Sequence, residues 1–380
     1  MKKVFATALI FAVLGGITIA IYLYSTGYRV NVKKGEITPT GMIAAKSIPD
    51  GAQVYVDGVL TTATNGTVTG IKPGTHKLKV VKNGFVTWEK DIEVFEQLVT
   101  DITAVLVSKT PRLEPLTSEG ANSPVISPTL TKIAYFTKDG KKPGVWVFPL
   151  GGNIQVNLFK TAPDVILEDT AKIIFSNGEY IEWSPDEKEL LVKVDENRLF
   201  TADLASKVFE TTTSAELTRK TWNEKIMEKR SLFLSRLALS DEVNKLALDP
   251  ETVWSPDEKK FMYKEKDGDF TLYKVYNLEK PLPVGEKTNY TVFSVKNDTP
   301  QPKVYWYNDS FHLITVEGDI KKENKGSIYL IRIDGTNKTE VYNNTLYSDI
   351  AFSTPYGDKI VILTSFRSNN QTDLYAIGIR

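Results

Sequence analysis

The run Val4–Tyr24, VFATALIFAVLGGITIAIYLY, holds 21 residues and no charge. As a helix rising about 1.5 Å per residue it is roughly 31 Å long, enough to cross the hydrocarbon core of a bilayer. A helix apolar on every face needs lipid or a surrounding core. The chain therefore reads as a cytoplasmic stub (1–3), a transmembrane signal anchor in membrane lipid (4–24), a juxtamembrane linker (25–42) and a bulk beyond. A cleaved signal peptide competes with this reading. It would have a shorter apolar core and small residues before the cut. Thr18 and Ala20 imitate that spacing, but the apolar run continues through Ile21, Leu23 and Tyr24. Tyr22, Tyr24 and Tyr28 suit a membrane interface. Lys2 and Lys3 on one side nearly balance Arg29, Lys33 and Lys34 on the other, so charge alone does not orient the span. A lone N-terminal anchor normally exports the chain beyond it. The expectation is a single-pass protein with its N-terminus in the cytoplasm and its bulk extracytoplasmic.

The exported part has no basic excess. Formal charge over the 380 residues is zero; residues 1–42 carry five Lys/Arg against one Glu, and residues 111–380 carry 35 basic against 39 acidic. Nucleic-acid binding, which needs clustered Lys and Arg against phosphates, is not expected. The early positive charge sits beside the membrane, where anionic headgroups or ordinary topology flanks account for it. Cysteine is absent, which removes disulfides and thiolate metal sites.

Residues 43–107 alternate with period two. Val54 and Val56, Leu78 and Val80, Ile92 and Val94, Ile102 and Ala104 each face one side, as in a half-buried antiparallel sheet. Pro49-Asp-Gly51, Asp57-Gly58, Asn65-Gly66, Pro73-Gly74 and Asn83-Gly84 supply turn chemistry. The succession Ser47-Ile-Pro-Asp-Gly-Ala-Gln-Val-Tyr-Val-Asp-Gly58, Lys72-Pro-Gly-Thr-His-Lys-Leu-Lys-Val80 and Lys82-Asn-Gly-Phe-Val-Thr-Trp88 resembles a PEGA domain, with Pro49-Asp50-Gly51-Ala52 standing for the signature and Asp replacing Glu. The resemblance implies a small β-sandwich of prokaryotic envelope proteins that packs against surface components or glycans, and it brings no catalytic residues. Tyr55, Phe85 and Trp88 are ligand-binding candidates as an aromatic platform for a sugar. The competing reading makes them core filling in a tiny domain that needs every large side chain.

The remainder, 108–380, repeats. Ile181-Glu-Trp-Ser-Pro-Asp-Glu-Lys188 and Thr252-Val-Trp-Ser-Pro-Asp-Glu-Lys259 are each followed by an apolar strand, a polar loop and a further strand. Outlines recur at Val125-Ile-Ser-Pro128, Val304-Tyr-Trp-Tyr-Asn-Asp309 and Ile350-Ala-Phe-Ser-Thr-Pro355. Units of about 40–50 residues with several strands each indicate propeller blades. The Trp-Ser-Pro-Asp block is similar to the WD-type repeat of periplasmic Tol-system propellers, which implies a ring of four-stranded blades. Five or six blades are expected, with residues 110–120 supplying the outer strand of the last. Residues 213–248 interrupt the period as helices. Thr213 and Glu216 have capping-box spacing; Leu217, Trp222, Ile226, Phe233 and Leu237 recur at helical intervals, away from most charges including Arg219. Ser240 starts a second helix. The insertion reads either as a partner- or membrane-binding arm or as a hairpin packed on the propeller rim.

The expected fold class is thus mainly all-β: a transmembrane helix, a PEGA-like sandwich and a propeller with a helical insertion. No P-loop, nucleophile elbow, zinc motif or dinucleotide fingerprint is present, so no catalytic residues, metal ligands or cofactors are assigned. His76 and His312 read as strand residues, Asp186 and Asp257 as turn formers, and Asp267-Gly-Asp269 as an acidic turn too short for a calcium loop. Seven Asn-x-Ser/Thr sequons, at Asn65, Asn289, Asn297, Asn308, Asn337, Asn343 and Asn370, matter only in a host that glycosylates them. The functional expectation is a non-enzymatic, membrane-anchored binding or scaffold protein of a bacterial cell envelope, presenting its modules to an envelope protein or glycan. The alternative is a membrane-bound glycan hydrolase, which needs two facing carboxylates in the propeller channel.

Overall fold

The computed structural model describes residues 2–25, 27–31, 36–138, 140–151, 163–367 and 371–380. Met1, Lys33, Lys34 and the Asn370 sequon lie outside them. Two compact units form: Met1–Lys109 with Lys280–Lys287, and Thr110–Glu279 with Thr288–Arg380.

In the first unit an unbroken helix runs over Lys2–Ser25. None of its apolar stretch Phe5–Ser25 is buried by the protein, and it is long and apolar enough to span a membrane. Gly27 then turns the chain at φ +91°, where an added Cβ would meet the Thr40 carbonyl oxygen at 2.8 Å. The segment 25–42, read as a linker, contains two short strands, Tyr28–Asn31 and Glu36–Pro39, paired antiparallel.

Two sheets come next. One orders Gly66–Ile71, Gly41–Ile48 and Val99–Val105; the other orders Val59–Ala63, Gln53–Val56, Gly74–Val81 and Trp88–Val94. Alternation fixes the faces: Val54 lies opposite Val80, and Val80 opposite Trp88, so all three point into one core with Ile43, Leu78, Ile92 and Ile102. The purely antiparallel expectation needs correction. Gly41–Ile48 and Val99–Val105 pair in parallel, because the first and last strands of the sandwich meet side by side. The Pro49–Ala52 turn is pinned by Thr64, whose hydroxyl accepts the Ala52 N–H at 2.8 Å and lies 2.7 Å from the Ser47 hydroxyl.

The described residues of the second unit form a five-bladed array of four-stranded antiparallel sheets. Blade 1 comprises Asn122–Ile126, Lys132–Thr137, Gly144–Pro149 and Asp164–Glu168; blade 2 comprises Tyr180–Trp183, Glu189–Asp195, Arg198–Asp203 and Phe209–Thr211. Blade 3 comprises Val253–Trp254, Lys260–Asp267, Phe270–Asn277 and Asn289–Lys296; blade 4 comprises Lys303–Trp306, His312–Glu317, Lys325–Arg332 and Thr339–Thr345. Blade 5 has Ala351–Ser353, Lys359–Thr364 and Asp373–Gly378, and takes its outer strand, Arg112–Pro115, from the start of the unit. This is the closure expected of residues 110–120. Ile133 and Tyr135 of blade 1 share a core with Phe352, Val361 and Leu363 of blade 5.

One turn recurs five times. The N–H groups of Ser127, Ser184, Ser255, Tyr307 and Thr354 donate to the carbonyls of Lys132, Glu189, Lys260, His312 and Lys359. Three residues after each of those donors, Leu130, Glu187, Glu258, Ser310 and Gly357 sit at φ between 54° and 60°. A type I turn followed by a left-handed residue joins the first two strands of every blade. In the Ser-Pro-Asp copies the serine hydroxyl accepts the next strand's first N–H (Glu189 2.9 Å, Lys260 3.0 Å) and donates to Asp186 (2.8 Å) or Asp257 (2.6 Å). Gly357 alone is obligatory: its added Cβ would fall 2.1 Å from Asn308 Oδ1 and 2.6 Å from the Tyr307 hydroxyl.

Charge is buried at the seam of blades 3 and 4. Lys260 is fully buried, with Nζ 2.9 Å from Glu279 and 4.0 Å from the centre of the Phe311 ring. Arg332 pairs with Asp334 at 2.5 Å, and His312 Nδ1 lies 2.7 Å from Asp309. Burial works against the Asp309 carboxylate, but the His312 charge and hydrogen bond and the Phe311 and His312 N–H groups outweigh it and hold the carboxyl below its ordinary value.

The insertion forms helices Ala215–Ser235 and Asp241–Ala247. Ser240 caps the second, accepting from Val243 N. The first is capped by Ser214, which accepts from Leu217 N, and the Thr213–Glu216 box does not form. Ser214 is the residue that holds extended angles at the boundary, as a cap requires. Leu217 is exposed; it lies five residues, roughly 140° of rotation, before the buried Trp222 and so faces away from it.

The turn and the buried seam each yield an expected outcome. Gly357→Ala is expected to cost about 2 kcal/mol or more through left-handed strain and the clash with Asn308 and Tyr307, read from denaturant unfolding of the detergent-solubilised protein. Asp309, depressed in the fold, contributes stability above its unfolded value of 3.8 and loses it as pH falls through the lower folded value. Asp309→Asn should therefore flatten the acid limb of stability between about pH 2 and pH 5, with the wild type gaining stability over that window.

Candidate functional site

The first strands of all five blades wall one cavity of about 470 Å³. Ile126, Trp183, Trp254, Trp306 and Ser353 occupy the same register, opposite Ile133, Leu190, Phe261, Leu313 and Ile360 on the second strands. The residues before them in sequence, Val125, Glu182, Val253, Tyr305 and Phe352, join the wall with Val304 and Ile181, and turn residues such as Pro128 and Pro256 close it. The size falls in the range of small-molecule pockets, and the surface is mainly apolar and aromatic.

The tryptophans also join blades. Trp183 Nε1 donates to the Val125 carbonyl of blade 1 at 3.1 Å, and Trp306 Nε1 to the Val253 carbonyl of blade 3 at 2.9 Å. Trp254 departs from the pattern. Its indole donates to Ala247 of the insertion at 2.9 Å, and the Arg230 guanidinium lies 4.8 Å over its ring. Burial lowers the Arg230 pKa against the opposing charge of Glu258. Tyr305 meets Phe352 edge to face at 5.4 Å, and burial, with Asp349 adding to it, pushes its hydroxyl well above the ordinary value, so it stays a donor.

Among the described lining residues Glu182 is the one carboxylate. Arg219 of the insertion holds it with two nitrogens, Nε at 2.8 Å and Nη2 at 2.5 Å. That hydrogen bond, ahead of the opposing desolvation, raises the arginine further above its usual value. The insertion thus braces two wall residues, Glu182 and Trp254.

The candidates Tyr55, Phe85 and Trp88 lie in the first unit and do not share a face. Trp88 is buried, and Phe85 packs against the same core. Tyr55 pairs with Lys79, which pairs with Glu89, on the opposite face, and its hydroxyl donates to Gln53 at 3.0 Å. His76 and His312 are in separate units, each on an aspartate: Asp57 at 2.7 Å and Asp309 at 2.7 Å. No group of three or more His, Cys, Asp or Glu that could hold a metal occurs among the described residues.

Sequence reasoning located the cavity residues as repeat positions without placing them around one space. Their signal was the shared place just before the turn that ends each first strand, written as Ser-Pro in three of the five copies. Arg219 carried no signal beyond its place among the insertion's charges.

Residues 40–110 match the PEGA domain family model. The sandwich Gly41–Val105 is that domain, in agreement with the resemblance carried by Pro49–Ala52. No curated protein matches the chain. Among solved structures, TolB from Acinetobacter baumannii is 14% identical, with 80% of this chain covered, 59% of that chain and a TM-score of 0.27. This chain thus spans 59% of that structure's length. An oligogalacturonate lyase from Vibrio parahaemolyticus is 10% identical over 72% of this chain and 95% of its own, at TM-score 0.30. A chain of the mitotic checkpoint complex is 11% identical over 72% and 96%, at 0.36. The blade assignment rests on the strand pairing of this chain alone.

Trp306→Phe keeps a ring in place but removes the indole hydrogen bond to the Val253 carbonyl, which still faces Met262 in the strand ladder. It is expected to cost about 0.5–1.5 kcal/mol in denaturant unfolding, and Arg219→Ala, which breaks a half-exposed pair, about 1 kcal/mol or less.

Proposed function

We propose that this chain is a membrane-anchored, extracytoplasmic binding or scaffold protein of the cell envelope. The apolar helix Lys2–Ser25 tethers it with the N-terminus inside, the PEGA domain follows the anchor, and the blades offer their cavity to an envelope protein or glycan. The observation that carries this reading is the cavity wall: aromatic and apolar side chains drawn from five strands, with Glu182 already held by Arg219. Ring faces of that kind hold apolar groups or the C–H face of a sugar. A wall whose carboxylate is committed to an arginine suits holding a ligand better than protonating one, since glycoside hydrolysis draws on two free carboxyl groups.

The test is capture by the tagged full chain from detergent-extracted envelope fractions, with purified glycan strands as parallel bait. The wild type is expected to recover one of the two. Trp183→Ala and Tyr305→Ala, matched for folding by circular dichroism, are expected to recover about tenfold less, as loss of a central aromatic contact implies. Equal recovery by the variants would remove the cavity from the reading, and recovery of nothing by the wild type would sink the binding role. Retention in the pellet after carbonate washing, with the bulk cut by protease added to intact cells, is the expected result for location.

A further inference from the structure

Within the first unit, the turn between strands Trp88–Val94 and Val99–Val105 exposes Phe95, Leu98 and Val99, at 36%, 47% and 41%. Ile92, Val94 and Thr100 on either side are buried, so along these two strands apolar burial fails at the tip; Val59 and Leu60, at the start of a strand elsewhere in the domain, are exposed as well. Turns between strands are ordinarily polar, and these three apolar residues gain nothing from water.

The tip is held in place. Gln97 sits at φ +58°, its N–H donates to the Thr40 carbonyl at 3.0 Å, and its side-chain amide donates to the Tyr28 hydroxyl at 3.0 Å. Met42 N–H donates to the Leu98 carbonyl at 3.0 Å, and Thr40 N–H to Gly27 at 2.9 Å. Gln97 is thus two backbone hydrogen bonds from Gly27, which lies two residues past the end of the helix at Ser25. At about 4.8 Å per hydrogen-bonded step, the tip lies within roughly 10 Å of Gly27.

An apolar helix of this length places Ser25 at the edge of the hydrocarbon, with a headgroup layer of about 5–7 Å beyond it. The rings of Tyr22 and Tyr24 are exposed at this end, and Arg29 stacks over Tyr24 at 3.9 Å while donating to its carbonyl at 2.8 Å. The exposed apolar tip and the exposed apolar helix therefore border one region. Glu96, exposed between Phe95 and Gln97, sets the depth: a carboxylate stays among headgroups and does not enter the acyl chains.

We infer that Phe95, Leu98 and Val99 form a second, shallow lipid contact that seats the PEGA domain on the bilayer in which its own helix is anchored. The inference rests on the anchored reading. It makes the domain a part fixed to the membrane at two points.

The chain contains no cysteine, so single-cysteine variants report cleanly. Leu98→Cys and Glu96→Cys probe the tip, Leu14→Cys the helix, and Val59→Cys an exposed strand residue of the same domain. Each full-length variant, labelled with an environment-sensitive fluorophore, is placed in phosphatidylcholine–phosphatidylglycerol nanodiscs with and without lipids carrying a nitroxide near the headgroup. Quenching at positions 96 and 98 is expected to exceed that at 59 about twofold or more, with position 14 shielded from aqueous iodide. If 14 is shielded while 96 and 98 match 59, the lipid contact is overturned and the anchor stands. If 14 is open to iodide, the anchored reading fails and takes this inference with it. Equal strong quenching at 59 would mean that the domain lies flat on lipid, which overturns a contact confined to the tip.

Discussion

The antiparallel pairing of Arg112–Pro115 with Asp373–Gly378 joins the ends of the second unit, and the cavity depends on it. Each blade buries its faces against its neighbours, so an open array would leave blade 1 and blade 5 with unpaired apolar surfaces. The pairing lets Ile133 and Tyr135 share a core with Phe352 and Leu363. It also gives the edge of Asp373–Gly378 a partner, which removes a row of unpaired backbone groups. Only with both ends joined do the five first strands face one space. The cost is a loop spanning most of the unit, and closure of so long a loop is disfavoured only slowly with its length.

Much of this architecture was legible because it rests on local chemistry. The turn after each first strand needs a hydroxyl or carboxylate to hold backbone N–H groups and a residue that tolerates a left-handed conformation. Trp-Ser-Pro-Asp-Glu-Lys writes that requirement openly in blades 2 and 3. Blade 4 meets it with Asp309, which accepts from Phe311 and His312, and blade 5 with Thr354 and Gly357. The chemistry survived there while the letters changed, and the copies were readable only in outline. The PEGA domain was legible for the same reason, through Pro49–Ala52 and its later Gly turns.

The hidden features depend on partners far away in sequence. The parallel pairing of Gly41–Ile48 with Val99–Val105 unites strands that alternation alone cannot match. Tyr55, Phe85 and Trp88 looked equivalent as aromatics in strands, yet register sends Tyr55 to one face and Trp88 to the other. Arg219 was one charge among several on a helix; its meaning comes from Glu182, which lies 37 residues earlier on another element. Ser214 rather than Thr213 starts the helix because backbone angles, and not the spacing to Glu216, decide which hydroxyl can reach an orphan N–H.

The insertion between blades 2 and 3 has a consequence for how this ring tolerates change in length. In blades 2 and 4 the first-strand tryptophan finds its acceptor on the preceding blade, as Trp183 and Trp306 do. Trp254 finds it on Ala247 instead. Trimming the helices to an ordinary connector would strand an indole proton in a dry seam. A shorter descendant of this chain would therefore have to exchange that tryptophan for a residue without a donor in the same step, which couples the history of a surface excursion to that of a wall residue.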